Sequence, residues 1–174
     1  MSVWKMNVRK HQEPNIAARF RTTYGRSRAV RHADFDYASP VDIHLVLCAL
    51  CGRPFASPSH AAVVSDSIMR SCELCGYRLY GFCLMPDHLH VLLNPTDSGV
   101  RIADWLRRFK SYTTNTLARA GGPARLWQRS AYDHVCRSEE TAENVLRYII
   151  ENPVRAGLVE NWEAWPWTRV FIEL

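Results

Sequence analysis

No stretch of this 174-residue chain approaches the roughly 18 consecutive apolar residues that suggest a membrane span. No membrane partner is therefore expected. The first residues, MSVWKMNVRKHQEP, carry charge but no apolar core segment, so no secretory signal is read there and a cytoplasmic location is expected. There is no internal repeat, no low-complexity tract and no P-loop. Six cysteines are present, but without an export signal they point to reduced thiols or a metal site, not to a disulfide scaffold.

With 47% hydrophobic and 22% charged residues, the composition is that of a globular protein of one domain with an appendage. The net charge of +5 is unevenly distributed. Residues 1–32 carry eight Lys or Arg against the single acid Glu13, a net of +7, which leaves the other 142 residues at −2. Residues 1–38 thus read as a basic N-terminal arm and 39–174 as the folded domain, beginning near Ser39-Pro40. An arm of this kind can contact nucleic acid, and a solvated tail fits the same composition.

The chain then alternates elements. DIHLVLCAL (42–50) reads as a buried strand ended by Gly52 and Pro54, and residues 58–77 as a helix. RLYGFCLMPDHLHVLLN (78–94) reads as two strands meeting at Pro86-Asp87. RIADWLRRFKSYTTNTLARA (101–120) is amphipathic, with Ile102, Trp105, Leu106, Phe109 and Leu117 inward and Arg107, Arg108 and Lys110 outward. LWQRSAYDHVCR (126–137) is extended, and residues 138–152 form a helix capped by Ser138 and ended by Pro153. Strand, helix, two strands, helix, strand, helix predicts an α+β sandwich with an antiparallel sheet and helices packed on one face.

Three constellations compete to carry chemistry. Cys48-x-x-Cys51-Gly and Cys72-x-x-Cys75-Gly have the spacing of a four-thiolate zinc site, but a strand claims Cys48 and a helix claims Cys72. Packed free thiols are the expected outcome. In LMPDHLHVLL (84–93), strand alternation puts His88 and His90 on one side, where two imidazoles can leave open positions on a catalytic metal or can be a buried structural pair. On the last helix, Tyr148 and Asn152 lie four apart on one face. A tyrosine there can be a covalent nucleophile or a packed aromatic.

Taken together, LMPDHLHVLL, LWQRSAYDHVCR, VLRYIIENPVRAGLV and WPWT (165–168) resemble the single-tyrosine HUH transposases, most of all the REP-associated tyrosine transposases. The resemblance covers about residues 40–170 and stops short of the arm, and the two C-x-x-C-G elements depart from its pattern. It implies a ferredoxin-like domain that nicks and rejoins single-stranded DNA, or hairpin-forming repetitive palindromic DNA, through a covalent 5′-phosphotyrosine. On that resemblance Tyr148 falls at the nucleophile, and His88, His90 and Asn152 fall at the ligands of a divalent ion, Mg²⁺ or Mn²⁺. Such an enzyme works as a monomer or a homodimer. Arg107, Arg108, Lys110 and Arg129 are candidate DNA-phosphate contacts. Two alternatives stand beside it. One is a non-catalytic DNA-binding protein using the basic arm and a zinc knuckle; the other is a water-using phosphodiesterase in which Tyr148 is structural.

Overall fold

The computed structural model describes residues 41–95, 98–136 and 141–174. The basic arm (1–38), Ser39-Pro40 and Ser138 lie outside the described residues. Strand β1 spans Ile43–Cys48, helix α1 Pro58–Cys75, strands β2 and β3 Arg78–Leu84 and His88–Asn94, and helix α2 Ile102–Arg119. Strand β4 (Tyr132–Val135), helices α3 (Ala142–Ile150) and α4 (Asn152–Arg155) and strand β5 (Thr168–Val170) complete the order.

The strands form one sheet in the order β4-β1-β3-β2-β5, every pair antiparallel. A β-α-β-β-α-β core with that order is the expected ferredoxin-like sandwich, and β5 is added beyond β2. The added strand seals an edge that would otherwise offer unpaired backbone groups. The WPWT motif builds it: the Trp165 indole N–H donates to the Leu84 carbonyl at 2.9 Å, and Leu84 N–H donates to the Trp167 carbonyl at 3.0 Å.

Both faces of the central strands are buried. On one face Ile43, Leu45, Leu47, Leu89, Val91 and Leu93 pack with Val64 and Ile68 of α1 and with Ile102, Trp105, Phe109 and Leu117 of α2. Each such side chain contributes about 1.5–3 kcal/mol by leaving water. The two long helices therefore share one face, as their amphipathic patterns require.

The structure adds a third helix on the opposite face. There Leu146, Ile149 and Ile150 of α3 pack on Tyr80, Cys83, Met85 and Leu92. The cap of α3 is Thr141, whose side chain accepts from Asn144 N–H, so the helix starts later than the sequence pattern places it. Gly81 lets α3 come close: a Cβ there would lie 2.7 Å from both the Arg169 carbonyl oxygen and a Leu146 methyl. The register between β2 and β3 shifts between Leu79 and Gly81, a bulge that turns the Tyr80 side chain toward the α3 face.

Candidate active site

Alternation along β1 and β3 decides which residues share the face under α3. Leu45, Leu47, Leu89 and Val91 enter the core beneath α1 and α2, so His44, Cys48, His88 and His90 project the other way. His134 and Tyr132 of β4 pair with His44 and Val46, which brings them to the same face. A row of imidazoles thus crosses the sheet, drawn from three strands.

The contacts along that row are close. Nε2 of His88 lies 3.1 Å from Nε2 of His90, and Nδ1 of His90 lies 3.0 Å from Nε2 of His44. Nδ1 of His88 donates to Asp87 Oδ1 at 2.6 Å, the geometry of a carboxylate fixing one imidazole tautomer. Burial holds His90 well below the ordinary histidine range, with His88, His44 and the Arg155 cation adding to the effect. Burial, with His134 beside it, pushes His44 down to about 3. These two rings are neutral at pH 7, the form in which an imidazole nitrogen can donate a lone pair to a metal.

Helix α3 brings Tyr148 over this row. Its ring meets His44 edge-on with centroids 6.5 Å apart, and the Arg155 guanidinium covers it at 4.2 Å. Arg155 reaches back because α4 follows α3 almost without interruption, and its Nη2 donates to the Tyr148 carbonyl. Asn152 is turned onto the same helix end: its amide donates to the carbonyls of Tyr148 (3.2 Å) and Ile149 (2.9 Å). That fixes the amide nitrogen and leaves Oδ1 as the acceptor end.

Among the described residues, no three His, Cys, Asp or Glu side chains assemble a metal-holding group. A divalent ion would therefore rest on the two imidazoles, an amide oxygen, and water or substrate oxygens. The imidazole pair fits such an ion. Nitrogens 3.1 Å apart span the edge of a coordination octahedron whose ligands lie at about 2.1 Å.

The other sequence candidates separate. Arg107 and Arg108 are exposed on α2, with Arg107 paired to Asp104 at 3.1 Å, and Arg129 is exposed in the connection before β4. Lys110 does not face outward as its helical position suggests. Its ammonium donates to the carbonyls of Gln128, Arg129 and Ser130 at 3.0, 3.4 and 3.1 Å and clamps that connection to α2. Of the tyrosines that could replace Tyr148 as nucleophile, Tyr112 is 58% exposed on α2, whereas Tyr132 stays on the histidine face.

The zinc knuckle is not assembled. Cys48 lies on the histidine face of β1, while Cys72 is buried in the core under α1. Gly76 is not a knuckle residue either: at φ 66° it caps α1, with its N–H and that of Tyr77 donating to Glu73 and Cys72 carbonyls. Of the four thiols, Cys48 and Cys72 are packed as expected, Cys75 is half-buried and Cys51 is exposed. Burial pushes Cys48 up to about 11 and Cys72 to about 12.

Residue-level reading missed His44, Asp87 and Arg155. His44 stood alone in an apolar strand, and only the register of β1 against β3 brings it to His90. Asp87 read as a turn residue, and Arg155 lay beyond the helix expected to end at Pro153.

Comparison with known proteins bears on the same elements. The chain is 30% identical over 112 residues to a Haemophilus influenzae protein named as a REP-associated tyrosine transposase, covering 57% of this chain and 62% of that protein's length. Its fold is similar to that of a REP-associated tyrosine transposase solved bound to a REP hairpin, with a TM-score of 0.65 and 18% identity over 77% of this chain and 79% of the other. The sequence model of the IS200-like transposases matches residues 37–152, a span that runs from just before β1 through the histidine pair to Asn152. This chain belongs to the IS200-like transposase family.

Proposed function

We propose that the protein nicks and rejoins single-stranded DNA through Tyr148, acting on hairpin-forming repetitive palindromic sequence in the cytoplasm. The observation that carries this reading is the edge-on contact of Tyr148 of α3 with His44, on the sheet face that also carries the His88–His90 nitrogen pair. The likeness to a transposase solved with a REP hairpin supports the choice of substrate.

In this reading the Tyr148 phenol oxygen attacks the scissile phosphorus in line. The bond to the departing 3′ oxygen breaks, the phenol proton is released to solvent, and the 3′ oxygen leaves as a hydroxyl after taking up a proton. The 5′ phosphate stays on Tyr148 as an ester, so attack by a 3′ hydroxyl reverses the step without an external energy source. Arg155 holds the Tyr148 ring by its face and places a cation beside the transferring phosphate. His88, His90 and the Asn152 amide oxygen would hold Mg²⁺ or Mn²⁺. Such an ion, when bound, polarises the phosphate and stabilises charge developing on its oxygens. Asp87 orients His88 for that task.

Residues 39–174 form the catalytic domain in this proposal, and the arm of residues 1–38 gives added attraction to DNA. Arg107, Arg108 and Arg129 remain candidate phosphate contacts; Lys110 is withdrawn because its ammonium is committed to three carbonyls.

The test is incubation of the protein with end-labelled hairpin DNA and Mn²⁺, followed by denaturing electrophoresis. A covalent adduct that disappears in Tyr148→Phe, with hairpin binding retained, is the expected result. Free cleaved strands without adduct would make the enzyme a water-using phosphodiesterase, and persistent adduct in Tyr148→Phe would move the nucleophile to Tyr132.

A further inference from the structure

His44 occupies a sheet position where an aliphatic side chain would pack, and it is only 3% exposed. Its ring stacks on His90 with centroids 5.3 Å apart, and its Nε2 faces Nδ1 of His90 at 3.0 Å. The two nitrogens of an imidazole are distinct, and the partner of one decides what the other can do. His90 stands between two such partners, His44 at Nδ1 and His88 at Nε2.

Asp87 holds a proton on Nδ1 of His88, so in the neutral form of that ring Nε2 carries the lone pair. Two arrangements of neutral rings then satisfy the row. In the closed one, Nε2–H of His90 donates to Nε2 of His88, and Nδ1 of His90 accepts from His44. The lone pairs of His88 Nε2 and His90 Nδ1 are then both engaged, and neither faces a cation. In the open one, Nδ1–H of His90 donates to Nε2 of His44, and the Nε2 lone pairs of His88 and His90 are both available to one ion. Passing from closed to open moves the proton of His90 from Nε2 to Nδ1 and that of His44 from Nε2 to Nδ1. No charge is gained or lost.

We propose that His44 is a positioning residue that accepts the Nδ1 proton of His90 and so opens the His88–His90 nitrogen pair to a divalent cation. The proposal rests on the metal reading of that pair given above, but it concerns a proton location that can be observed without metal, DNA or turnover. A leucine at 44 fills the space yet accepts nothing, whereas a glutamine offers a carbonyl oxygen in place of the ring nitrogen. The chemistry of the acceptor, not its volume, separates the two variants.

The experiment uses the full chain, free of DNA, as wild type, His44→Leu and His44→Gln. Mn²⁺ affinity is measured by calorimetry, the His90 tautomer by ¹⁵N imidazole correlation spectra of the metal-free protein and with diamagnetic Mg²⁺, and melting temperature alongside. His44→Leu is expected to weaken Mn²⁺ binding about 10–100-fold and to leave His90 protonated at Nε2, where the metal-free wild type carries that proton on Nδ1. His44→Gln should return affinity to within about threefold of wild type. Equal loss in both variants, or Mn²⁺ affinity unchanged in His44→Leu, overturns the proposal. If wild type itself binds no Mn²⁺, the metal reading fails. The spectra then decide the positioning role alone: a His90 tautomer that is the same in wild type and His44→Leu overturns it.

Discussion

The guanidinium of Arg155 lies 4.2 Å over the ring centre of Tyr148 and donates to that residue's own carbonyl, so a single cation grips both the side chain and the backbone of one tyrosine. Neither contact is needed to close the fold, since Arg155 is exposed and the adjoining α3 is held by its own apolar face. Arg155→Gln should therefore slow adduct formation by about tenfold or more, the scale of a lost cation–π contact together with a lost charge near the phosphate. Hairpin affinity and melting temperature should change little. Single-turnover rates set against filter-binding affinities check this, and an unchanged rate would remove Arg155 from the site.

His88→Ala and His90→Ala should each abolish adduct formation, with excess Mn²⁺ failing to restore it. His90 is fully buried, so its loss also leaves a cavity, and His88→Gln serves as the milder control. Metal titrations of adduct yield provide the measurement. Wild-type yield from either alanine variant in chelated buffer would sink the ligand assignment.

The cysteines should respond according to burial, not as a set of four. Cys51 is exposed, and Cys51→Ser should change stability by no more than about 0.5 kcal/mol. Cys72 is buried among apolar neighbours, and Cys72→Ser should cost about 1–3 kcal/mol by placing a hydroxyl there. Chelator should leave the melting temperature unchanged. Urea titrations of both variants, with zinc content measured on purified protein, decide the matter; one zinc per chain that is lost in Cys51→Ser or Cys72→Ser would contradict the geometry.

Gly81→Ala should harm activity more than its size suggests. The added methyl meets the backbone of β5 on one side and Leu146 of α3 on the other, and the carbonyl cannot swing aside as a flexible side chain would. Overpacking of this kind costs about 1–3 kcal/mol. Because α3 carries Tyr148, its displacement should reduce adduct formation by about tenfold even where the fold survives. Circular dichroism melts paired with adduct rates test this, and wild-type rates would mean that α3 absorbs the methyl.

Metal-free protein should lose stability as the solution becomes mildly acidic. Unfolded histidine protonates near 6.5, whereas folded His44 stays neutral to about 3 and His90 is held low as well, by burial first. Between those values the unfolded chain binds protons that the fold excludes. Stability is therefore full above pH 6.5 and falls toward pH 3, by up to about 1.4 kcal/mol per pH unit for each such ring. Urea unfolding between about pH 7 and pH 5 should show this slope, reduced in His44→Leu. A flat profile in wild type would contradict the burial of neutral rings.

Local pattern determined a large part of this protein. Apolar runs bounded by Gly and Pro marked β1, β2 and β3 within two residues, and the helical spacing of Ile102, Trp105, Phe109 and Leu117 marked the buried face of α2. The period of two put His88 and His90 together, because neighbouring residues on one strand need no partner to share a side. Tertiary structure decided what local pattern does not contain. The register of β1 against β3 brought His44 to His90, and the packing of α3 across the sheet brought Tyr148 to His44. Lys110 belonged to an outward stripe by its spacing, yet the carbonyls of residues 128–130 lie within its reach only after the chain has folded back on α2. The two cysteine pairs had the spacing of a metal site, yet Cys48 and Cys72 went to opposite faces of the sheet, because strand alternation and helix packing constrain them more strongly than the intervals between them.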